Sequence, residues 1–289
     1  MANRKILILF LILSFISNSC SSLPGKKDLR SLEIKNKAVK FQKDGISQFN
    51  AGRYKQALDF FNIAFLLSAS IDNEEGLVLT LNSIGRTKLA ESENEEAYES
   101  FSKALIIAER LGDSLLIMKT IGNLADYYIM TGDLDRAFSL LTDSLEEADG
   151  IKSTESAYLA HTLSLVFRKR GEYDESLEYL NKSLTYNLKN NAFRALASDY
   201  YMMASIYSLQ LNYNEALHFA QEALKYDKMI EYSQGIAADL EALAIISGKM
   251  GNTEISEIYL NRSIAVLNAI NNVNELEVQK LDPNNDLVQ

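Results

Sequence analysis

The chain has 289 residues, of which 47% are hydrophobic and 24% charged, enough apolar material for a folded core and too little bias for a low-complexity segment. With 29 Lys and Arg against 39 Asp and Glu, the formal net charge is −10, which argues against nucleic acid and anionic lipid headgroups as partners. A single cysteine excludes a disulfide framework, so packing alone must supply stability.

Residues 1–19 predict a signal peptide. Arg4 and Lys5 precede an apolar run from Ile6 to Ile16 broken only by Ser14, and Ser17-Asn18-Ser19-Cys20 follows. At about 1.5 Å per residue such a run reaches roughly half of a bilayer's hydrocarbon core, which suits a cleaved leader better than a spanning helix. The lone Cys20 just past the run resembles the bacterial lipoprotein cleavage site, where the cysteine sulfur receives a diacylglycerol. Ser19 is the small residue before the cut, and Ser17 stands where such sites usually carry Leu. An ordinary secretory signal with an incidental cysteine is the alternative. Loss of Arg4 and Lys5 with the leader takes the mature chain from −10 to −12. The expected location is therefore the bacterial cell envelope, lipid-anchored, on the outer-membrane or periplasmic side. Residues 20–36, with Ser21, Ser22, Pro24, Gly25, Lys26 and Lys27 in quick succession, predict the lipidated Cys and a flexible tether.

From about residue 37 the chain repeats. A small residue recurs at Ala57, Ala97, Ala137, Ser176, Ala216 and Ser256, spaced 40, 40, 39, 40 and 40 apart. Four positions later stand Phe61, Phe101, Leu141, Leu180, Ala220 and Leu260, and then small residues again at Ala64, Ala104, Ser144, Ser183, Ala223 and Ser263. Twelve residues before each beat lies another small residue: Gly45, Gly85, Ala125, Ser164, Ala204 or Ala244. The intervening apolar residues fall at three and four, as in Ile121, Leu124 and Tyr128, a helical period. Each copy thus predicts two helices, joined by a turn carrying Gly52, Gly132, Gly171 or Gly251 in four copies and Ser92 or Leu211 in the second and fifth. A fixed period of this length marks an array in which each unit buries its apolar face against its neighbours.

Gly45, Phe49, Gly52, Tyr54, Ala57, Phe61 and Ala64 in the first copy, and Ala204, Tyr207, Tyr213, Ala216 and Ala223 in the fifth, resemble the tetratricopeptide repeat (TPR) in a 40-residue-period variant. The resemblance covers residues 37–270 and implies an all-α fold, a right-handed α-solenoid of about six helix-turn-helix repeats at about 37–73, 74–113, 114–152, 153–190, 191–231 and 232–270. Residues 271–289 are expected to form a short capping helix or a disordered tail. The commoner 34-residue form carries a proline after its second helix, which is missing here because the only prolines are Pro24 and Pro283.

No catalytic constellation emerges. His161 and His218 lie in different copies without a carboxylate or cysteine set at metal-ligand spacing, so both read as helix-surface residues, and neither metal nor cofactor is expected. The chain is expected not to be an enzyme. What the resemblance implies instead is a concave groove lined by the first helices. Asn82, Arg86, Lys119, Asn123 and Asp126 are candidate peptide-binding residues in the earlier copies, and His161, Arg168, Lys169 and Tyr201 in the later ones. Cations outnumber carboxylates at these inward positions, which suits an acidic or C-terminal carboxylate ligand. The sequence therefore predicts a non-catalytic scaffold binding another protein or a peptide and meeting the membrane only through its lipid. The alternative is an accessory subunit of an envelope transport or assembly system.

Overall fold

The computed structural model describes residues 26–148 and 150–281, with side chains between 29 and 273; the predicted leader and Cys20 lie outside the described residues. Twelve helices and no strand occur among them. They run as six consecutive pairs: α1 (Lys26–Asn50) with α2 (Tyr54–Ser70), α3 (Glu74–Ala90) with α4 (Asn94–Leu111), and α5 (Ser114–Thr131) with α6 (Leu134–Glu147). The chain continues with α7 (Thr154–Arg170) and α8 (Tyr173–Lys189), α9 (Phe193–Leu209) and α10 (Tyr213–Met229), and finally α11 (Ser233–Lys249) and α12 (Thr253–Leu281).

Every turn is built around one residue with positive φ. Within pairs these are Gly52, Ser92, Gly132, Gly171, Leu211 and Gly251; between pairs they include Asp72, Gly112, Asn191 and Glu231. Ser92 and Leu211 adopt the same left-handed conformation as the glycines they replace, so the turn geometry is kept at a steric cost. Asp113, Asp133 and Ser153 cap α5, α6 and α7, each accepting a backbone N–H of the first turn.

The recurring small and apolar residues are the core. Ala57, Ala97, Ala137, Ser176 and Ala216 are buried, as are Phe61, Phe101, Leu141, Leu180 and Ala220. The two members of each pair compensate. A Cβ at Gly45 or Gly85 would lie 2.5 Å from the ring of Phe61 or Phe101, so a phenylalanine on the second helix requires glycine on the first. Where the partner shrinks to Leu141, Leu180 or Ala220, the first helix carries Ala125, Ser164 or Ala204. The core is a string of clusters, one handing over to the next, such as Val78, Leu81 and Leu116, then Leu89, Phe101 and Leu124, then Ile121, Leu141 and Leu163.

Each helix packs against its chain neighbours, and each first helix also meets the next first helix, from α1 to α3 through to α9 to α11. Among the described residues no two second helices touch. The first helices thus form a continuous inner layer while the second helices splay outward, which bends the stack. Gln234 on α11 reaches the carbonyl of Asn50 at the end of α1, at 3.4 Å, so the sixth pair curls round to the first.

Two expectations about the ends are corrected. Helix α1 begins at Lys26, so residues 26–36 of the predicted tether are helical. No Gly or Pro interrupts Lys26–Lys43, and Lys35 pairs with Glu75 of α3 at 3.3 Å. At the other end α12 continues unbroken to Leu281, so residues 274–281 prolong the second helix of the last pair instead of forming a separate cap. Leu260 keeps the sequence position of Phe61 yet is 45% exposed, since among the described residues no further helix packs over α12.

Candidate functional site

The inner layer is joined by polar rungs between successive first helices. Gln42 of α1 donates to Ser83 of α3 at 2.6 Å. Asn82 donates to Thr120 of α5 at 2.8 Å and accepts from Asn123 at 2.9 Å. Tyr158 of α7 donates its hydroxyl to Asp126 of α5. His161 Nδ1 meets Asp199 of α9 at 2.7 Å, and Arg168 donates to Ser205 at 3.0 Å. Lys249 of α11 closes the series on Ser208 at 3.1 Å. Such bonds satisfy polar groups removed from water and set the spacing of neighbouring first helices.

The predicted groove residues divide into two groups. Asn82 and Asn123 are buried, with the Asn82 amide held between Thr120 and the Asn123 amide nitrogen. Asp126, His161 and Arg168 are half-buried rungs. Burial pushes the Asp126 carboxyl up, while the Tyr158 hydroxyl and the charges of His161 and Arg86 work against that shift. In turn, burial and the Asp126 charge hold the Tyr158 phenol well above its ordinary value. Arg86, Lys119, Lys169 and Tyr201 are exposed. The Arg86 guanidinium lies 5.2 Å over the Phe49 ring, which orients a cation on the inner layer without consuming its charge.

His161 is not the surface residue expected, whereas His218 is exposed. The partner of His161, Asp199, is wholly buried, and its two oxygens also accept from the Ser183 hydroxyl at 2.9 Å each and from the Asn187 amide at 2.8 Å. This brings a serine, a histidine and an aspartate together, but not in the order nucleophilic catalysis needs. The serine hydroxyl donates to the carboxylate, not to the imidazole, and Ser183 is buried. The cluster is a way of holding one carboxylate inside a helical stack. Sequence reasoning missed Asp199; the available signal was a carboxylate in the middle of the stretch Leu196–Met203.

Models of the tetratricopeptide repeat family match residues 76–148 and 157–190. No curated protein sequence matches the chain. Among solved structures it is similar to BtubC (BKLC) from P. vanneervenii, with a TM-score of 0.61 and 16% identity over 78% of this chain and 92% of that one. It is also similar to a Rap protein complexed with competence and sporulation factor, with a TM-score of 0.62 and 13% identity over 80% and 75% of the two chains. A third is PilW, a widely conserved type IV pilus biogenesis factor, with a TM-score of 0.53 and 17% identity over 77% and 90%. At these identities the likeness is one of fold. Residues 76–148 and 157–190 thus match tetratricopeptide repeats, and the helix pairs stack as a right-handed α-solenoid.

Proposed function

We propose that this chain is a non-catalytic TPR scaffold of the 40-residue-period type, tethered by a lipid on Cys20 in a bacterial cell envelope, that binds another protein or a peptide along its inner helix layer. The observation that carries the reading is the set of exposed cations Arg86, Lys119 and Lys169 on three successive pairs, along an inner layer whose first helices are joined by polar rungs. An acidic chain that keeps these cations on its first helices is suited to a ligand offering carboxylates. The structurally similar Rap protein is complexed with competence and sporulation factor, which favours a binding role. PilW is a pilus biogenesis factor, which favours the second reading, an accessory subunit of an envelope assembly or transport system.

Two experiments test the two halves of the proposal. Cys20→Ala should abolish labelling by radiolabelled palmitate and release the protein from membranes; persistent membrane association of the variant in high salt would overturn the anchor. The groove is tested by reversing Arg86, Lys119 and Lys169 to Glu. Arg168 is left alone because it is tied to Ser205. Exposed substitutions of this kind change stability by about 0.5 kcal/mol or less each. Losing a charged hydrogen bond to a ligand typically costs about 1.5 to 3 kcal/mol. The triple variant should therefore melt normally and bind a partner recovered from envelope extract far more weakly, with Lys103→Glu on α4 as the control. Equal affinity would place binding on another face.

A further inference from the structure

One corner of the stack differs from its counterpart in the preceding pair in a way that leaves room for a ligand. Asp227 of α10 and Asp239 of α11 face each other and share a hydrogen bond, although only 5% and 2% of their surfaces reach solvent. Asp227 Oδ1 and Asp239 Oδ2 have no hydrogen-bond partner among the described residues, and no Lys or Arg there makes an ion pair with either carboxyl. Both carboxyls line a cavity of about 360 Å³ between α9 and α11, walled by Arg194, Ser198, Tyr201 and Tyr232. Gly235 lets the Asp227 carboxyl lie against α11, since a Cβ there would fall 1.7 Å from its Oδ2.

The corner one pair earlier shows what a self-sufficient arrangement looks like. Asp199, forty residues before Asp239, takes hydrogen bonds from His161, Ser183 and Asn187. Forty residues on from those three donors stand Tyr201, Ala223 and Asp227. The imidazole, hydroxyl and amide have become a phenol out on the wall, a methyl and a second carboxyl. Buried carboxyl oxygens without donors are costly in a folded chain unless something supplies the missing hydrogens.

We propose that this corner binds a primary ammonium group, the side chain of a lysine or the N-terminal amine of a peptide in the groove, with Asp227 and Asp239 accepting its hydrogen bonds and Tyr201 and Tyr232 walling it. The inference deepens the reading of the inner layer as a peptide-binding surface and rests on it. An ammonium is compact, brings three donors and favours aromatic walls. A divalent cation is poorly served: it takes six or more oxygen ligands, and no group of three or more His, Cys, Asp or Glu suited to a metal occurs among the described residues. Without ligand, the pair keeps one proton, and the Asp239 carboxyl is pushed up to about 8 by burial and by Asp227. The other groups facing it are Tyr201 and Arg194 of α9 and Tyr232 of the turn before α11. Arg194 is stacked on Tyr232 at 3.9 Å and tempers Asp227 from the mouth of the cavity. An incoming ammonium therefore displaces the shared proton and competes with Arg194.

The test is calorimetric titration of the folded chain at pH 7 with n-butylamine, which stands for a lysine side chain, and with alaninamide, which stands for a peptide N-terminus. At least one should bind, with a heat that depends on the buffer because a proton is released, and the stronger of the two identifies the source. Asp227→Asn recreates the Asn187 and Asp199 pairing and should weaken binding by about tenfold or more, as expected for a lost charged hydrogen bond. Arg194→Ala should tighten it. If Asp227→Asn melts poorly, Tyr201→Ala, on the exposed wall, should still weaken the amine while melting normally. Failure of both amines to bind, unchanged affinity in Asp227→Asn and Tyr201→Ala, or preference for n-butylguanidine or calcium would each overturn the proposal. A partner lost on reversing Arg86, Lys119 and Lys169 but indifferent to saturating amine would also overturn it, leaving the groove reading intact.

Discussion

A buried carboxyl pair leaves its mark on stability as well as on binding. The ordinary value for an Asp carboxyl is 3.8, and Asp239 in the folded chain titrates at about 8. Between those two values the folded protein holds a proton that the unfolded chain has lost, so stability from this group is full below pH 4 and falls as pH rises toward 8. The slope is at most about 1.4 kcal/mol per pH unit. Asp227→Asn removes the second carboxyl and offers an amide donor, so urea midpoints measured at pH 5, 7 and 9 should fall with pH more steeply in the wild type than in the variant. Parallel curves would mean that the two carboxyls do not share a proton. Leu211 makes a simpler case. It sits at φ 62° in the turn between α9 and α10 and is 70% exposed, so its side chain adds little while its Cβ is strained. Leu211→Gly should stabilise the protein by about 0.5 to 1 kcal/mol, the left-handed penalty offset in part by the entropy of glycine in the unfolded chain. An unchanged melting temperature would show that the turn relaxes around leucine without cost.

Within a pair, the fit of two helices is decided by matched volumes. Gly85→Ala places a methyl group in contact with the Phe101 ring and should cost about 1 to 3 kcal/mol by overpacking. Phe101→Leu should relieve it, because the third pair uses Ala125 with Leu141 at the same positions. The double variant should then be more stable than the sum of the single changes, with a coupling of about 0.5 to 3 kcal/mol in a double-mutant cycle. Additive effects would mean that these residues do not meet. The same pair explains what the sequence makes legible. Core positions recur six times with complementary sizes, so Ala97 and Phe101 announce the helix contact before any coordinates are seen. Inner-layer positions carry no comparable sign. Asn82 and Arg86 are polar residues one turn apart on α3, yet one is buried in a rung and the other faces solvent. The difference depends on Thr120 and Asn123, which arrive from the next pair. Asp199 is obscured for the same reason, its donors lying between 12 and 38 residues away on two other helices.

At the scale of the whole stack, cohesion is local: each pair is held by the pairs before and after it, and among the described residues the end pairs have support on one side only. The second helix of the last pair shows the consequence, with Ile255, Ile258, Leu260, Ile264 and Leu267 all exposed. At the start, Leu29 and Leu32 are exposed on α1. The Gln234 to Asn50 contact is a single hydrogen bond at 3.4 Å and adds little against this imbalance. The middle is different: Leu159, Leu163, Val166 and Leu180 are wholly buried, and the Asp199 cluster ties α7, α8 and α9 together. In a linear array, opening proceeds from the ends inward, because removing a terminal pair breaks one interface while opening an inner pair breaks two. Native-state hydrogen exchange should therefore show the least protection in α12 and the N-terminal half of α1, and the most in α7 and α8. Leu163→Ala, expected to cost about 2 to 5 kcal/mol at a fully buried site, should lower protection in α5 to α9 and leave the exchange of α12 nearly unchanged. Uniform protection across all six pairs, or an equal loss in α12, would mean that the stack opens as a single unit.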